Sequence, residues 1–370
     1  MIIGIDGNEA NCHQRVGIGQ YAYQLLDNFS RMKNFNFRIY LKNPLLIDLP
    51  KESSHFKYSV FGPSIFWTQI ALPIKLVTEK NKPDIFFSPS HYAPRYTLQK
   101  CAISIMDLSY IYFPELFRKK DLYQLRNWTN YSIRKASLIF TISQYSRKSI
   151  ADYYHISPEK IIVTYPGYDR KIYNSEKTTP VQKTKLFSKL KLTGKYLLYV
   201  GTIQPRKNLV RLIKVFKKII AEDESLQLVL VGKKGWLFEE IFAEADELIK
   251  SGKIVIGDYL SNEELSVLYK DSFGFVLPSL YEGFGIPVVE AMASGCPVVV
   301  SSTTSLPEVV GEAGILVNPD SEDDILKGIR KLYKPGIRQT LVKKGLIQAK
   351  KFSWEKCTEV TLVNLQKIIS

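Results

Sequence analysis

The chain has 370 residues, of which 45% are hydrophobic and 24% charged, a composition typical of globular proteins. This length exceeds what one ordinary hydrophobic core organises, so we expect two domains. The sequence contains no run of about eighteen apolar residues, so we predict no transmembrane helix. The N-terminal stretch MIIGIDGNEA lacks the basic flank of a signal peptide, so we expect a cytosolic protein.

The net charge of +15 is concentrated in the first half of the chain. Such an excess suits nucleic acid, an anionic membrane surface or phosphate-bearing substrates, or it serves solubility alone. No helix-turn-helix, zinc-finger or RNP signature occurs, so we expect no nucleic-acid partner. The four cysteines are scattered without metal-ligand spacing, which predicts structural thiols and no metal site.

Short apolar runs alternate with amphipathic stretches through the first half. The predicted strands are Met1–Ile5, Phe37–Leu41, Tyr58–Phe61, Ile85–Ser88, Cys101–Met106, Leu138–Ile142 and Ile161–Thr164. Helices are predicted from Gly17 to about Met32 and over Gln144–Tyr154, the second capped by Ser143. Strands that alternate with helices indicate a parallel sheet with both faces covered.

The polar, lysine-rich segment Asn174–Lys191 is predicted to be an interdomain linker. The βα pattern then restarts. The predicted strands are Tyr196–Val200, Leu226–Val231, Lys253–Ile256, Gly274–Leu277 and Pro297–Val300. The predicted helices are Leu209–Ala221, Glu239–Ser251, Asn262–Lys270, Pro287–Ser294, Asp323–Lys331, Ile337–Lys351 and Trp354–Ile369.

These patterns predict an α/β protein with two doubly wound, Rossmann-like domains facing a cleft. We expect an N-terminal domain over residues 1–175 and a C-terminal domain over 192–353. The final helix, 354–370, is expected to fold back onto the first domain. In such sheets ligands bind at the carboxyl ends of the strands.

The turn GTIQPRKN, residues 201–208, follows a buried strand and precedes a helix, a position where amides and the helix dipole attract anions. Arg206 and Lys207 lie in this turn. Two cations beside a helix N-terminus oppose the dipole, so the conflict favours a bound anion such as a diphosphate over a merely solvated basic turn.

The stretch LPSLYEGFGIPVVEAMASGCPVVVS, residues 277–301, places two carboxylates around a glycine pair. Glu282 is predicted in the loop and Glu290 in the following helix. Carboxylates accept paired hydrogen bonds from vicinal hydroxyls, such as those of ribose or a hexose. The spacing alone also allows Glu290 to interact only with its helix dipole and Glu282 to be solvated.

The segments YVGTIQPRKN, PSLYEGFGIPVVEAMASGCPVV and SLPEVVGEAGILVNP resemble the retaining GT-B glycosyltransferases of family four. The family's E-x7-E pattern matches Glu282 and Glu290. GVGIGQYAYQLL, IFFSPSHYAPR, SIMDLSYIYFPE and the tail FSWEKCTEVTL resemble further parts of that family, so the resemblance covers nearly the whole chain.

The resemblance implies that residues 1–175 form an acceptor-binding domain and that residues 192–353 form the donor domain, with a site for a nucleoside-diphosphate sugar. Arg206 and Lys207 would neutralise the diphosphate, and Glu290 would bind the ribose. The implied sugar- and distal-phosphate-binding groups are Glu282 and the amides of Phe284, Gly285 and Ile286. Gly17 and Gly19 would approach the phosphates from the other domain, and Lys233, Ile256 and Tyr259 would line the base. The family needs no metal or other cofactor.

One position departs from the family. Many relatives have a His-Asp pair where this chain has Met106-Asp107, and that histidine would contact the transferred sugar. Methionine cannot replace this hydrogen bond. Asp107 is a candidate for orienting sugar or acceptor, or it caps the turn at 108–110. His91 is a weaker candidate, with a packed or surface histidine as the alternative.

The segment Tyr110–Lys135 mixes aromatic residues with six cations. It suits contact with an acceptor or an anionic membrane, or it is a half-buried helix with a solvated basic face.

The expected function is therefore transfer of a hexose, with mannose preferred, to a hydroxyl acceptor in surface polysaccharide or glycolipid synthesis. The acceptor would be a glycan or a lipid-linked glycan, and the enzyme could lie at the inner face of the membrane. The alternatives are a catalytically impaired nucleotide-sugar-binding protein and a GT-B epimerase or synthase.

Overall fold

The computed structural model of the chain describes residues 1–15, 17–258 and 260–369. It divides into two units, one formed by Met1–Gly167 with Ser353–Ser370 and the other by Tyr168–Phe352. Each unit contains a parallel sheet with helices, which is the predicted α/β class. Among the described residues, no helix combines the length and the apolar composition needed to cross a lipid bilayer.

The sheet of the first unit has the strand order β3-β2-β1-β4-β5-β6-β7. Its strands are β1 (Ile2–Asp6), β2 (Asn36–Leu41), β3 (Phe56–Val60), β4 (Ile85–Ser88), β5 (Lys100–Ser104), β6 (Leu138–Thr141) and β7 (Ile161–Val163). Its helices are α1 (Ile18–Phe29), α2 (Leu72–Thr78), α3 (Ser109–Tyr112), α4 (Lys119–Lys135), α5 (Gln144–Tyr154) and, from the chain's end, the helix Trp354–Ile369. A π-helical turn, Trp67–Ala71, leads into α2.

The sheet of the second unit has the strand order β10-β9-β8-β11-β12-β13. Its strands are β8 (Tyr196–Val200), β9 (Gln227–Val231), β10 (Ile254–Gly257), β11 (Gly274–Leu277), β12 (Val298–Ser301) and β13 (Gly314–Val317). Its helices are α6 (Pro180–Leu190), α7 (Leu209–Ile220), α8 (Glu239–Lys250), α9 (Asn262–Asp271), α10 (Ile286–Ala293), α11 (Leu306–Val310), α12 (Glu322–Lys331) and α13 (Ile337–Ala349).

The inner strands are buried and mostly apolar, as is typical of parallel sheets whose two faces are both covered by helices. All five residues of β8, YLLYV, are buried, as are the four of β4 and of β11. The last helix, which we number α14, packs against α1, where the rings of Trp354 and Tyr21 meet edge-on with centroids 6.1 Å apart.

The strand order reverses between β1 and β4 in the first unit and between β8 and β11 in the second. Loops that leave two such strands at their carboxyl ends diverge and open a crevice, where doubly wound proteins bind ligands. The segments that follow β8 and β11 carry the predicted Arg206-Lys207 turn and the Glu282 loop. The topology therefore places both motifs at one ligand-binding edge.

The segment predicted as a linker instead contains a helix, α6. Thr179 forms a capping box with Gln182, and Pro180 occupies the first turn, where its missing N–H costs nothing. Leu186 and Leu190 are buried on one face of α6. The lysines that suggested a solvated linker lie on a helix with a narrow apolar stripe.

Candidate functional site

The cationic turn after β8 is fixed by its neighbours before any ligand binds. It is a 3₁₀ turn, Pro205–Lys207, that ends at Asn208 in the left-handed region with φ of 62°. The Asn208 side-chain amide donates to the carbonyl oxygens of Pro278 at 2.9 Å and Pro319 at 2.7 Å. The first bond ties the turn to the segment that follows β11, and the second ties it to the segment that follows β13.

The segments that follow β8 and β11 bring together three of the predicted site residues. Lys207 Nζ lies 2.6 Å from Glu282 Oε1, and Arg206 Nη1 lies 3.9 Å from Glu282 Oε2. Arg206 also donates to the Tyr281 carbonyl at 2.7 Å. The three side chains are between 9% and 16% exposed, so they form a largely desolvated cluster of two cations and one carboxylate.

The electrostatics of Glu282 follow from this arrangement. Burial opposes ionisation, but the nearby charges of Lys207 and Arg206 outweigh it and hold the pKa of the Glu282 carboxyl below its ordinary value. The acid is therefore ionised, and the cluster retains one net positive charge. That charge suits an anionic ligand at the carboxyl edge of the sheet.

Three hydroxyl residues that the sequence did not single out complete this site. Ser279 donates to Glu282 Oε1 at 2.7 Å, and the Glu282 amide donates to Thr304 Oγ1 at 3.1 Å. Ser305 donates to the carbonyls of Glu282 at 2.9 Å and Phe284 at 3.2 Å. The available signal was the hydroxyl-rich run SSTTS, residues 301–305, at the carboxyl end of β12.

Gly285 starts the helix that carries the second predicted acid. Its φ of 101° lies in the region that favours glycine, and a Cβ there would approach Leu306 to 2.8 Å. Ile286 begins α10, and the Phe284 ring is buried edge-on against Phe352 at 5.3 Å. The backbone of Phe284, Gly285 and Ile286 thus leads into a helix N-terminus, where amides favour anions.

Glu290 lies half-buried on α10, beside the Tyr269 hydroxyl. Burial raises the pKa of its carboxyl to about 7, and a hydrogen bond donated by the Tyr269 hydroxyl at 3.3 Å partly offsets this. Without a ligand, Glu290 is therefore an acid poised between its two protonation states near neutral pH. Perturbed carboxyls of this kind are typical of ligand-binding sites.

The remaining predicted donor residues of this unit are Lys233, Ile256 and Tyr259. Lys233 follows β9, and its carbonyl accepts a hydrogen bond from the Ile203 amide at 2.8 Å. Ile256 lies half-buried on β10, and Tyr259 falls outside the described residues. The preceding Gly232 permits this packing, because a Cβ at that position would lie 2.0 Å from the Gly201 carbonyl oxygen.

The predicted glycines of the first unit lie where β1 leads into α1. Gly17 precedes the helix with φ of 52°, and its carbonyl accepts from the Tyr21 amide at 3.0 Å. A Cβ at Gly19 would lie 3.0 Å from the Glu9 carbonyl oxygen. Gly17 therefore lets the backbone enter α1 with a positive φ, and Gly19 lets the first turn of α1 lie close to the loop that follows β1.

Asp107 and His91 lie after the neighbouring strands β5 and β4. Asp107 Oδ1 accepts a hydrogen bond from the Ser109 amide at 2.8 Å, so the capping interpretation describes this contact. Burial lowers the pKa of His91 to about 4, while the Asp107 charge acts in the opposite direction. His91 is thus neutral at pH 7, and its shielded Nδ1 has no hydrogen-bond partner among the described residues.

Asp6 and Glu9, which the sequence did not single out, add two acids at this edge. Burial raises the pKa of both carboxyls; a bond from Asn8 partly offsets this in Asp6, and the Asp6 charge adds to it in Glu9. Asp6 ends the buried strand β1 and Glu9 lies three residues beyond it, and this position at the strand's end was the available signal. Within the described ranges, no group of three or more His, Cys, Asp or Glu side chains has the arrangement of a metal site.

Comparisons with known proteins identify the family. Residues 181–345 match the family model described as "Glycosyl transferases group 1". The chain is 33% identical over 291 residues to the O-antigen chain mannosyltransferase B of Escherichia coli, an alignment that covers 78% of this chain and 75% of the relative.

Solved structures show the same fold over almost the whole chain. Sucrose-phosphate synthase from Thermosynechococcus elongatus superposes with a TM-score of 0.77 at 18% identity, covering 99% of this chain and 98% of that one. Anabaena Alr3699/HepE in complex with UDP and glucose gives a TM-score of 0.74 at 17% identity and 99% coverage of both chains. The predicted GT-B fold is confirmed, and the chain belongs to the group 1 glycosyltransferases.

Proposed function

We propose that this glycosyltransferase moves mannose from a nucleoside-diphosphate sugar to a hydroxyl of a growing surface polysaccharide or glycolipid, with retention of the α configuration. The observation that carries the proposal is the buried cluster of Arg206, Lys207 and Glu282 at the β8/β11 edge. The relative named O-antigen chain mannosyltransferase supports mannose and a polysaccharide acceptor, and the Alr3699/HepE complex with UDP and glucose supports a nucleotide-sugar donor.

Each donor-site residue has a role that its environment suits. Lys207 carries an ammonium group beside Glu282, and its positive charge would attract phosphate oxygens. Arg206 supplies a planar fork for the same group. Glu282, held ionised and buttressed by Ser279, would accept from sugar hydroxyls, and Glu290 would accept from the ribose hydroxyls.

The reaction proposed is a same-face displacement, in which the leaving phosphate accepts the proton of the attacking hydroxyl. The bond from the anomeric carbon to the phosphate oxygen breaks, and the bond to the acceptor oxygen forms on the same face. Negative charge grows on the diphosphate, where the fixed cations stabilise it in a water-poor site. Because these cations supply the charge a divalent ion would offer, the proposal includes no metal and no other cofactor.

A peripheral contact with an anionic membrane is also part of the proposal. Ile70, Ile74 and Val77 are 51%, 58% and 41% exposed, and their spacing places them on one face of the π-helical turn and α2. The basic helix α4 lines a groove together with the same π-helical turn. Exposed apolar side chains beside cations suit the headgroup region of an anionic bilayer.

Vesicle binding tests this surface directly. We expect wild-type protein to co-sediment with vesicles that contain anionic lipid, and Ile70→Asp/Ile74→Asp to lose most of that binding. Ile347→Asp is a matched control, because Ile347 is 67% exposed on α13 of the other unit. Equal binding of the wild type and the double variant would remove the membrane contact from the proposal.

A transfer assay with a panel of nucleoside-diphosphate hexoses tests the main proposal. We expect GDP-mannose or another nucleotide sugar to yield an α-linked product with a mannosyl-oligosaccharide acceptor, in the presence of EDTA. Arg206→Ala should reduce kcat/KM by at least about a hundredfold, because a buried cation at a developing charge contributes several kcal/mol.

Lys218→Ala is the matched control for loss of a salt-bridged cation, since Lys218 pairs with Glu322 at 2.9 Å on the exposed surface. It should retain wild-type kcat/KM. A protein that binds nucleoside diphosphate and yet transfers no sugar would support the binding-protein alternative. A β-linked product would contradict retention.

A further inference from the structure

A groove in the first unit is lined by three separate chain segments. It lies between the π-helical turn at Thr68 and Gln69, the loop 92–95 after β4, and the middle of α4. Its volume of about 380 Å³ falls within the roughly 300–1,000 Å³ typical of small-molecule sites. The loop 92–95 belongs to the stretch IFFSPSHYAPR, whereas the other two segments lie outside the stretches that resemble the family.

Hydrogen bonds hold the three segments together without a ligand. The Arg95 amide donates to the Thr68 carbonyl at 3.2 Å, and the Ala93 amide donates to Ser132 Oγ at 2.9 Å. Ser132 Oγ in turn donates to the carbonyl of Trp128 at 2.7 Å. The groove is therefore pre-organised, which lowers the entropy cost of binding.

Aromatic rings form the walls of the groove. Tyr92 and Trp128 meet edge-on with centroids 5.5 Å apart, and the Arg95 guanidinium lies 4.2 Å above the Tyr131 ring. Tyr123 completes the aromatic set and is 66% exposed, so one of the rings remains open to solvent.

The remaining lining identifies the chemical class of the ligand. Amide and hydroxyl side chains, including Asn127 and Gln69, alternate with the rings, and Arg95 is the single cation among the described lining residues. In the same described set, no aliphatic side chain larger than alanine occurs, so an acyl chain fits poorly. A diphosphate would call for more than one cation. A pyranose offers both a C–H face for stacking and hydroxyls for hydrogen bonds.

The groove also lies beside the sheet edge where the reaction is expected. Tyr92 follows His91 in the chain, and the charge of Asp107 influences the His91 ring. Burial chiefly raises the pKa of Tyr92, and the Glu9 carboxyl, three residues beyond β1, and the Asp121 carboxyl add to this. A saccharide in the groove would thus have one end near the carboxyl termini of β1, β4 and β5.

We propose that this groove binds the acceptor glycan through sugar residues that precede the one receiving the new sugar. The proposal rests on the glycosyl-transfer function proposed above and adds a specificity-determining subsite to it. The ring of Tyr123 stacks on one pyranose, and Asn127 and Gln69 hydrogen-bond its hydroxyls.

The test is calorimetric titration of the full chain with α-linked mannotriose, combined with amide hydrogen exchange. We expect saturable binding, slower exchange in α4, and a Kd about tenfold higher in Tyr123→Ala, equivalent to about 1.4 kcal/mol. Tyr153→Ala is the matched control, because Tyr153 is 46% exposed on α5 of the same unit and does not line the groove. Its Kd should stay within about twofold of wild type.

Absence of saturable mannotriose binding by the wild type would overturn the proposal, and so would equal affinity of the wild type and Tyr123→Ala. The melting-temperature increase caused by nucleoside diphosphate reports separately that each variant is folded. If transfer proceeds and Tyr123→Ala leaves the KM for mannotriose unchanged, the groove assignment fails while the proposed function stands. If the wild type binds mannotriose but transfers no sugar from any donor, the proposed function fails alone.

Discussion

Protonation of Glu290 should control nucleotide binding near neutral pH. Burial raises the pKa of this carboxyl to about 7 in the ligand-free protein. In the proposed complex it accepts hydrogen bonds from two ribose hydroxyls, which stabilise the ionised form and lower its pKa. Nucleotide binding should therefore release a proton from Glu290, and affinity should increase as the pH rises.

The size of the effect follows from the ionised fraction. With a pKa of about 7, Glu290 is about one-tenth ionised at pH 6 and about nine-tenths ionised at pH 8. A ligand that binds only the ionised form should therefore have a Kd about tenfold higher at pH 6 than at pH 8, a difference of about 1.4 kcal/mol. At pH 6.5 about 0.8 proton should leave Glu290 per nucleotide bound.

Calorimetric titration with GDP and with UDP, in two buffers that differ in ionisation enthalpy, measures the proton count. Phosphate ionisation of the nucleotide changes affinity in the same direction, so Glu290→Gln is the matched control that keeps only that contribution. If the wild type and Glu290→Gln release the same number of protons and show the same dependence on pH, Glu290 does not bind the ribose as a carboxylate.

Three further predictions concern stability. Lys207→Ala leaves the Glu282 charge buried and should lower the free energy of unfolding by about 3–5 kcal/mol in denaturant titration. Adding Glu282→Gln should recover part of that loss. Fully additive effects of the two substitutions would contradict the pairing. Gly232→Ala places a Cβ 2.0 Å from the Gly201 carbonyl oxygen and should lower the free energy of unfolding by more than about 1 kcal/mol. Gly194→Ala is the control, because no atom lies within 4 Å of the added Cβ, and its free energy of unfolding should stay within about 0.5 kcal/mol of wild type. Burial lowers the pKa of His91 in the folded protein to about 4, so the unfolded chain binds a proton at this residue at a higher pH than the folded protein does. The free energy of unfolding should therefore fall as the pH decreases from about 6.5 to 4, and His91→Phe should weaken that decline. Identical pH profiles of the wild type and the variant would contradict a buried neutral imidazole.

The sheet strands were predictable because they are buried on both faces and read as short apolar runs between turns. Ile85–Ser88, Tyr196–Val200 and Gly274–Leu277 have the predicted bounds. The prediction missed β13, a four-residue strand at the edge of its sheet. It also missed α2, where the exposed apolar side chains of Ile74 and Val77 obscure the amphipathic pattern.

The charged residues of the candidate site were predictable from the sequence, but their salt bridge and the hydroxyl residues around them were not. Arg206, Lys207 and Glu282 were found because cations at a helix N-terminus and an acid directly before a glycine pair are unusual locally. Their direct salt bridge depends on β8 and β11 being neighbours, and no local pattern encodes that pairing. Ser305 was missed for the same reason, since its contact with the Glu282 carbonyl spans 23 residues of sequence.

The groove beside α4 illustrates a different limit. The aromatic and basic residues of Tyr110–Lys135 were noticed, and the alternative of a half-buried helix describes α4 well, with Ser132 and Ile133 buried. The groove itself needs Thr68 and Tyr92 from distant segments, so only the tertiary structure reveals it.

A structure of the complex with a nucleoside diphosphate would show whether the cationic turn holds the donor. We predict diphosphate oxygens within about 3.2 Å of both the Arg206 guanidinium and Lys207 Nζ, with the ribose hydroxyls at the Glu290 carboxylate. A diphosphate bound elsewhere, beyond hydrogen-bond distance of Arg206 and Lys207, would contradict this assignment.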